Sequence, residues 1–363
     1  MRAYRRPALD HLLAMTDDVG LLQHATLDVP NRSCGYCTDD VGRALIVACD
    51  AAGRRGTEAD GARLMSTYLA YLHDAQLPDG SFHDFMGYDR RWQDDTGTPD
   101  AVGRAIWGLG YAERHAPRDT WRAVAGRMRA NALAAIPAMA YVRSRAYAVL
   151  GLVPALDTRP ADEFAVRTAL DASLAMIADA YDAHAAPDWR WCEDTMTYDN
   201  ARLCEALLRG GAALGNARYV DAGLAMLTFY SAVTIEGEGG GDTPAESSRS
   251  IFVPVGNDGW YPRGGDKARY GQQPLEAAAM VGAAFAALDV TGDERWRSVA
   301  EIAHAWFLGG NTLGAKVATD AGCRDGLDAT GVNGNMGAES TVCYLMSAIA
   351  LANRSTTSLR AIR

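Results

Sequence analysis

Two tandem acidic pairs, Asp94-Asp95 and Glu193-Asp194, are the residues of this chain whose type and spacing best suit chemistry. Hydrolysis of a glycosidic bond needs one carboxylic acid to protonate the leaving oxygen and one carboxylate to activate water or attack the sugar. Crowded carboxyl groups raise the pKa of at least one of their number, which keeps a general acid protonated near neutrality. Both pairs lie in one local pattern, W-Q-D-D-T-G-T-P-D from Trp92 to Asp100 and W-C-E-D-T-M-T-Y-D from Trp191 to Asp199, superimposed without a gap at an offset of 99 residues. The catalytic candidates are therefore Asp94, Asp95, Glu193 and Asp194, from two equivalent loops.

A second repetition sets Asp39-Asp40-Val41-Gly42-Arg43-Ala44 over Asp100-Ala101-Val102-Gly103-Arg104-Ala105 at an offset of 61. Asp39, Asp40, Asp100, Asp199, Gln273 and Glu339 fall at or near the starts of small apolar helices and are candidate ligands for a polar substrate. Asp at such a position is also a preferred N-cap, and both readings stay open. Tyr36, Trp92, Trp191, Trp260 and Tyr261 offer flat faces for the C–H side of a sugar ring, while duplication of Trp92 as Trp191 fits structural packing equally well. Glu205 and Glu276, one turn into their helices, are sugar ligands or buried hydrogen-bonding partners.

The elements that must position these residues are helices, because apolar residues recur at helical spacing and period-two runs are scarce, Ser250 to Val255 being the best strand candidate. The helices are of two kinds. Asp39 to Ala52, Asp100 to Tyr111, Arg145 to Leu156, Asp199 to Leu214, Gln273 to Leu288 and Glu339 to Ala352 are apolar nearly all round and read as buried. Gly61 to Ala75, Asp119 to Ala135, Asp162 to Asp182, Ala217 to Val233 and Asp293 to Leu308 carry a charged face and read as an outer layer, with Pro7 to Leu21 as its sixth member. Six inner and six outer helices predict an all-α fold, one (α/α)6 toroid over residues 1–363, with the N-terminal ends of the inner helices gathered at an acidic mouth. Residues 234–271 are the one long interruption; Glu236, Glu238, Arg249, Arg263, Lys267 and Arg269 place it as a lid or subsite wall. Its glycine run lacks the G-K-[ST] of a phosphate-binding loop.

Composition narrows the class of partner. Of the 363 residues 48 % are hydrophobic and 22 % charged, the balance of a globular domain. A net charge of −10 disfavours nucleic acid and anionic membrane surfaces. The N-terminus lacks the apolar core of a signal peptide, and no apolar run approaches the length of a membrane span. Seven cysteines, with Cys34 and Cys37 the only close pair, fit a reducing cytoplasm better than a disulfide framework. The pair has no second C-x-x-C or H-x3-H to complete a metal site, and the reading calls for no metal and no cofactor.

With its repeats in hand, the chain resembles the six-hairpin glycosidase-like superfamily, on the pattern W-x-[DE]-D-T-x-T-x-D at Trp92 to Asp100 and Trp191 to Asp199, with Gly35-Tyr36-Cys37-Thr38-Asp39-Asp40. The resemblance implies an (α/α)6 barrel with catalytic carboxylates on loops at the N-terminal ends of the inner helices, and hence a glycoside hydrolase, expected to be inverting. Sugar 2-epimerases of the acylglucosamine type share the barrel but use histidines, of which only His83 and His184 fall near the mouth. Gln76 to Phe82 is similar to the Q-x-x-D-G-S-[WF] repeat of terpene cyclases and prenyltransferases, in a single copy. A lyase would want positive groups against a uronate; a phosphorylase would use Arg263, Lys267 and Arg269 to bind phosphate. The non-catalytic alternative is a carbohydrate-binding domain accompanying a glycosyltransferase partner.

Overall fold

A computed structural model describes residues 4, 6–237, 250–320 and 322–361, so Glu238 and Arg249 of the expected lid lie outside the described residues. The chain is all-α, with twelve α-helices and only two-residue strands among the described residues. Its internal contacts divide it into two compact units. The first comprises Asp10–Ile177 and Arg209–Asn216; the second comprises Met1–Leu9, Ala178–Leu208 and Ala217–Arg363.

In the first unit α1 (Asp10–Met15), α2 (Thr38–Ala52), α3 (Glu58–Ala75), α4 (Pro99–His115), α5 (Asp119–Ala132), α6 (Val142–Leu156) and most of α7 (Glu163–His184) follow in order. Helices α2, α4 and α6 are buried nearly all round, as their composition predicts, and pack side by side. Glycine permits the close approach: a Cβ on Gly108 would lie 2.1 Å from the Gly42 carbonyl oxygen, and one on Gly42 would lie 2.6 Å from that of Arg104. The outer α5 is tied in by Arg129, whose buried guanidinium takes Glu113 of α4 at 2.9 Å and Asp162 at 2.6 Å. The helix expected over Pro7 to Leu21 is confined to α1, because the Asp17 carboxylate accepts from the amides of Val19 and Gly20 and turns the chain.

The second unit holds α8 (Asn200–Leu214), whose last six residues belong to the first unit, then α9 (Ala217–Thr234), α10 (Pro274–Thr291), α11 (Arg295–Ala305) and α12 (Ala338–Ala361). Helix α10 is long and apolar enough by length and composition to cross a membrane, against the expectation that no run would be. It is 78 % buried inside the protein and serves as a core helix, packed on α11 and α12. The N-terminal segment also joins this unit: Arg6 donates to Asn353 of α12 and Tyr4 meets the His304 ring edge-on.

Short antiparallel pairs fix the loops over the helix starts. In the first unit Tyr36 pairs with Met86 and Cys37 with Phe85, which lays residues 83–95 beside the start of α2. In the second, Thr195–Met196 pairs with Tyr261–Pro262, and Ile235–Glu236 with Ile251–Phe252, the surviving part of the strand expected from Ser250 to Val255.

Candidate active site

At the start of α2 the backbone N–H of Thr38 donates to the Asp84 carbonyl at 2.8 Å and its hydroxyl to the His83 carbonyl at 2.6 Å. The segment 83–84 thus caps the helix, and the acids in its first turn are free for other partners. Asp39 reaches Arg104 on α4 and Asp100 accepts from the Ser144 hydroxyl on α6, while Asp40 takes Arg43 within its own helix at 2.9 Å. Neither Asp39 nor Asp100 is an N-cap: those positions are Cys37 and Thr98. Arg43 and Arg104 are repeat equivalents with different partners, because Asp40 has Ala101 as its counterpart.

Arg104 is itself held on two sides, donating to the Tyr147 hydroxyl at 2.8 Å and lying 4.3 Å from that ring's centre. Asp39 is 20 % exposed and salt-bridged through Oδ2 to Arg104, while its Oδ1 is buried without a hydrogen-bond partner.

The buried Asp84 completes this cluster. Thr98 donates to its Oδ2 at 2.9 Å and the Cys37 thiol to its Oδ1 at 3.4 Å. Burial, and then the charge of Asp39, push its carboxyl up to about 6. Sequence reasoning missed Asp84 because the position 99 residues on is Ala183, so no repetition marks it.

The tandem pair beside it divides. Asp94 is a clamp: Oδ1 lies 3.1 Å from His83 Nδ1, and Oδ2 accepts from the amides of Asp84 and Phe85 at 3.0 and 2.8 Å. Asp95 is exposed. Trp92 stacks on His83 at 4.8 Å and meets Tyr71 edge-on. Tyr36, a candidate sugar platform, is instead buried, its hydroxyl bonded to Asp17 at 2.7 Å and its ring backed by Tyr71 and Tyr88. It presents no face to a ligand.

The second unit carries its own polar centre, around Glu276 in the first turn of α10. This fully buried carboxylate accepts from the Tyr230 hydroxyl at 2.7 Å, the Asn200 side chain at 3.3 Å and the amide of Asp199. Burial, then the neighbouring Asp199, push it up to about 7. The repeat register breaks here: Asp199 lies just outside α8 at φ +50°, a left-handed conformation that Asp tolerates better than most residues. Its carboxylate lies 3.6 Å from Arg202, which also pairs with Glu205. Glu205 and Glu276 are therefore buried hydrogen-bonding partners, the second of the two roles their position allowed. A Cβ on Gly282 would run into the Arg202–Glu205 pair at 2.4 Å.

Of the remaining candidates here, Trp191 is wholly buried against Tyr230 and also presents no face to a ligand. Glu193 is partly buried and Asp194 has a side chain 73 % exposed, with Arg263 pairing by backbone to the Asp194 carbonyl at 2.7 Å. Trp260 is partly buried at φ +60°, Gln273 is the N-cap residue of α10, and Glu339 is partly buried in the first turn of α12. The cations expected to bind phosphate are engaged. Arg263 donates to the His184 carbonyl at 3.1 Å, Lys267 to the carbonyls of Val233 and Val253 at 2.8 and 2.9 Å, and Arg269 grips both oxygens of Glu236 at 2.8 Å. Among the described residues no group of three or more His, Cys, Asp or Glu is arranged to hold a metal ion.

No protein-family model matches the sequence and no curated protein is similar to it, but solved structures are. A cellobiose 2-epimerase from Bacillus thermoamylovorans is 10 % identical with a TM-score of 0.70 over 95 % of this chain and 96 % of its own. A D-mannose isomerase is 10 % identical with a TM-score of 0.67 over 95 % of each chain. A GH76 alpha-mannanase from Bacteroides thetaiotaomicron is 9 % identical with a TM-score of 0.58 over 89 % of this chain and 87 % of its own. At such identities the likeness is one of fold: the chain has the (α/α)6 toroid fold that these structures share.

Proposed function

We propose that the chain is a glycoside hydrolase acting on an oligosaccharide or glycoconjugate, with the carboxyl pair Asp39 and Asp84 supplying the acid. The observation that carries this reading is the contrast between the two groups. Asp39 is salt-bridged to Arg104 and partly exposed, with one oxygen unsatisfied; Asp84 is buried behind it and keeps its proton up to about pH 6. A buried carboxyl whose surroundings hold its proton is the usual source of a general acid. Asp39 is the member that touches substrate, and Asp84 holds the proton at its back.

Asp94 of the first tandem pair supports the site rather than forming it. Asp94 is occupied by His83 and two amides, and Asp95 and Asp194 are solvent-facing. The engagement of Arg263, Lys267 and Arg269 favours water over phosphate as the second substrate. The test is an NMR time course of the wild-type protein on α- and β-linked manno-, gluco- and galacto-oligosaccharides. Release of reducing sugar supports the reading, and the first anomer to form decides between inversion and retention. An inert protein whose resonances still shift with sugar would make it a binding module.

A second reading, epimerisation or isomerisation of a reducing sugar, is favoured by His83, which lies beside the same carboxyl cluster, and by the names of the epimerase and isomerase neighbours. Solvent deuterium entering the C2 position of a free sugar would select it.

A further inference from the structure

The imidazole of His83 is constrained on two counts. Its ring lies flat on Trp92, 4.8 Å between centres and 12° from parallel. Its Nδ1 is 3.1 Å from Asp94 Oδ1, and Asp94 is fixed in turn by the amides of Asp84 and Phe85 on its other oxygen. An oxygen of this carboxylate accepts, so Nδ1–H donates and the neutral ring carries its lone pair on Nε2. Nε2 has no hydrogen bond among the described residues, and the side chain is 16 % exposed, neither buried nor loose. The carbonyl of His83 accepts from Thr38, the residue before Asp39, so the His83 backbone is held at the same helix start as the carboxyl pair.

An imidazole with one nitrogen on a buttressed carboxylate, one face on an indole and its second nitrogen open is arranged to move a proton. We infer that His83 is a catalytic base of the hydrolytic site and that Asp94 and Trp92 are its positioning residues, an inference that rests on the hydrolase reading of the Asp39 and Asp84 pair. Nε2 takes a proton from a water whose oxygen forms the new bond to the anomeric carbon. The glycosidic C–O bond breaks, and the leaving oxygen takes the proton held by the carboxyl pair. The imidazolium then gives its proton to solvent and the pair is reprotonated, so the net reaction is water plus glycoside to hemiacetal plus alcohol.

The experiment compares wild type, His83→Ala and Asp94→Asn on whichever oligosaccharide of the panel the wild type hydrolyses. His83→Ala is expected to lose roughly 10²–10⁴-fold in kcat, to keep its circular dichroism spectrum, and to recover turnover with added imidazole. Asp94→Asn, which keeps an acceptor oxygen for the two amides, is expected to lower kcat with little change in KM and to displace the acid limb of the pH profile. His83→Ala at wild-type rate overturns the inference and leaves the hydrolase reading standing, and an unmoved pH profile in Asp94→Asn overturns the positioning role. A wild type that cleaves nothing overturns the hydrolase reading and the inference with it.

Discussion

Asp39 in the first turn of α2 is bonded to Arg104 on α4, and its second oxygen is left buried and unsatisfied. The helix start is served by residues 83 and 84 instead, so Asp39 is not needed as a cap. The glycines between α2 and α4 are what bring the two side chains within reach.

Gly108→Ala tests that dependence. Its Cβ would meet the Gly42 carbonyl at 2.1 Å, which no rotamer change relieves. Denaturant melts should show a loss of about 1–3 kcal/mol, the usual range for overpacking, together with a fall in activity from the displaced Arg104. An unchanged midpoint would mean that α2 and α4 have slack.

Asp84 sets a pH dependence of turnover. Its folded pKa is raised to about 6, so the proton needed by a leaving group is present below that pH and lost as pH rises through it. The rate at saturating substrate should decline on the alkaline side of about 6, with the apparent value belonging to the pair. Asp84→Asn should remove that limb; a wild-type profile flat from pH 5 to roughly 8 would contradict the assignment.

Glu276 sets a pH dependence of stability in the second unit. Its carboxyl is raised from 4.5 to about 7, so between those values the unfolded chain has given up a proton that the folded one keeps. The resulting penalty is absent below 4.5, grows as pH rises, and levels off above about 7 at an upper limit of about 3 kcal/mol. Glu276→Gln should therefore gain on the wild type from pH 5 to pH 8 in urea melts. Parallel curves for the two proteins would show that the buried group is ionised throughout.

Turnover should be indifferent to phosphate. Each of Arg263, Lys267 and Arg269 is committed to a carbonyl or to Glu236, leaving no preformed cluster for a dianion. Sugar phosphate among the products, detected by phosphorus NMR, would refute this.

The helices were legible because burial on all sides leaves a compositional mark: Ala, Gly, Val and Leu with scarcely a polar face identified α2, α4, α6, α8, α10 and α12 to within a few residues, α12 running on past Ala352. Repetition was a weaker guide to the site. It pointed to Trp92 and Trp191, yet one stacks on a histidine and the other is sealed in the core. It singled out Asp39 and Asp100, but pairing with Arg104 and Ser144 depends on which helices are neighbours, and no spacing along the chain encodes that. Asp84 and Glu276 were illegible as perturbed acids because their surroundings come from segments far away in sequence, Thr98 and Cys37 for one, Tyr230 and Asn200 for the other.

The most direct measurement is kcat on the best oligosaccharide substrate for Asp39→Asn beside the double variant Asp95→Asn, Asp194→Asn. The Asp39 variant should fall by at least roughly 10²-fold, the low end for a missing acid or base, and the double variant should stay within a few-fold of wild type. A fully active Asp39→Asn protein, or loss confined to the double variant, would return the chemistry to the tandem pairs and contradict the site described for α2.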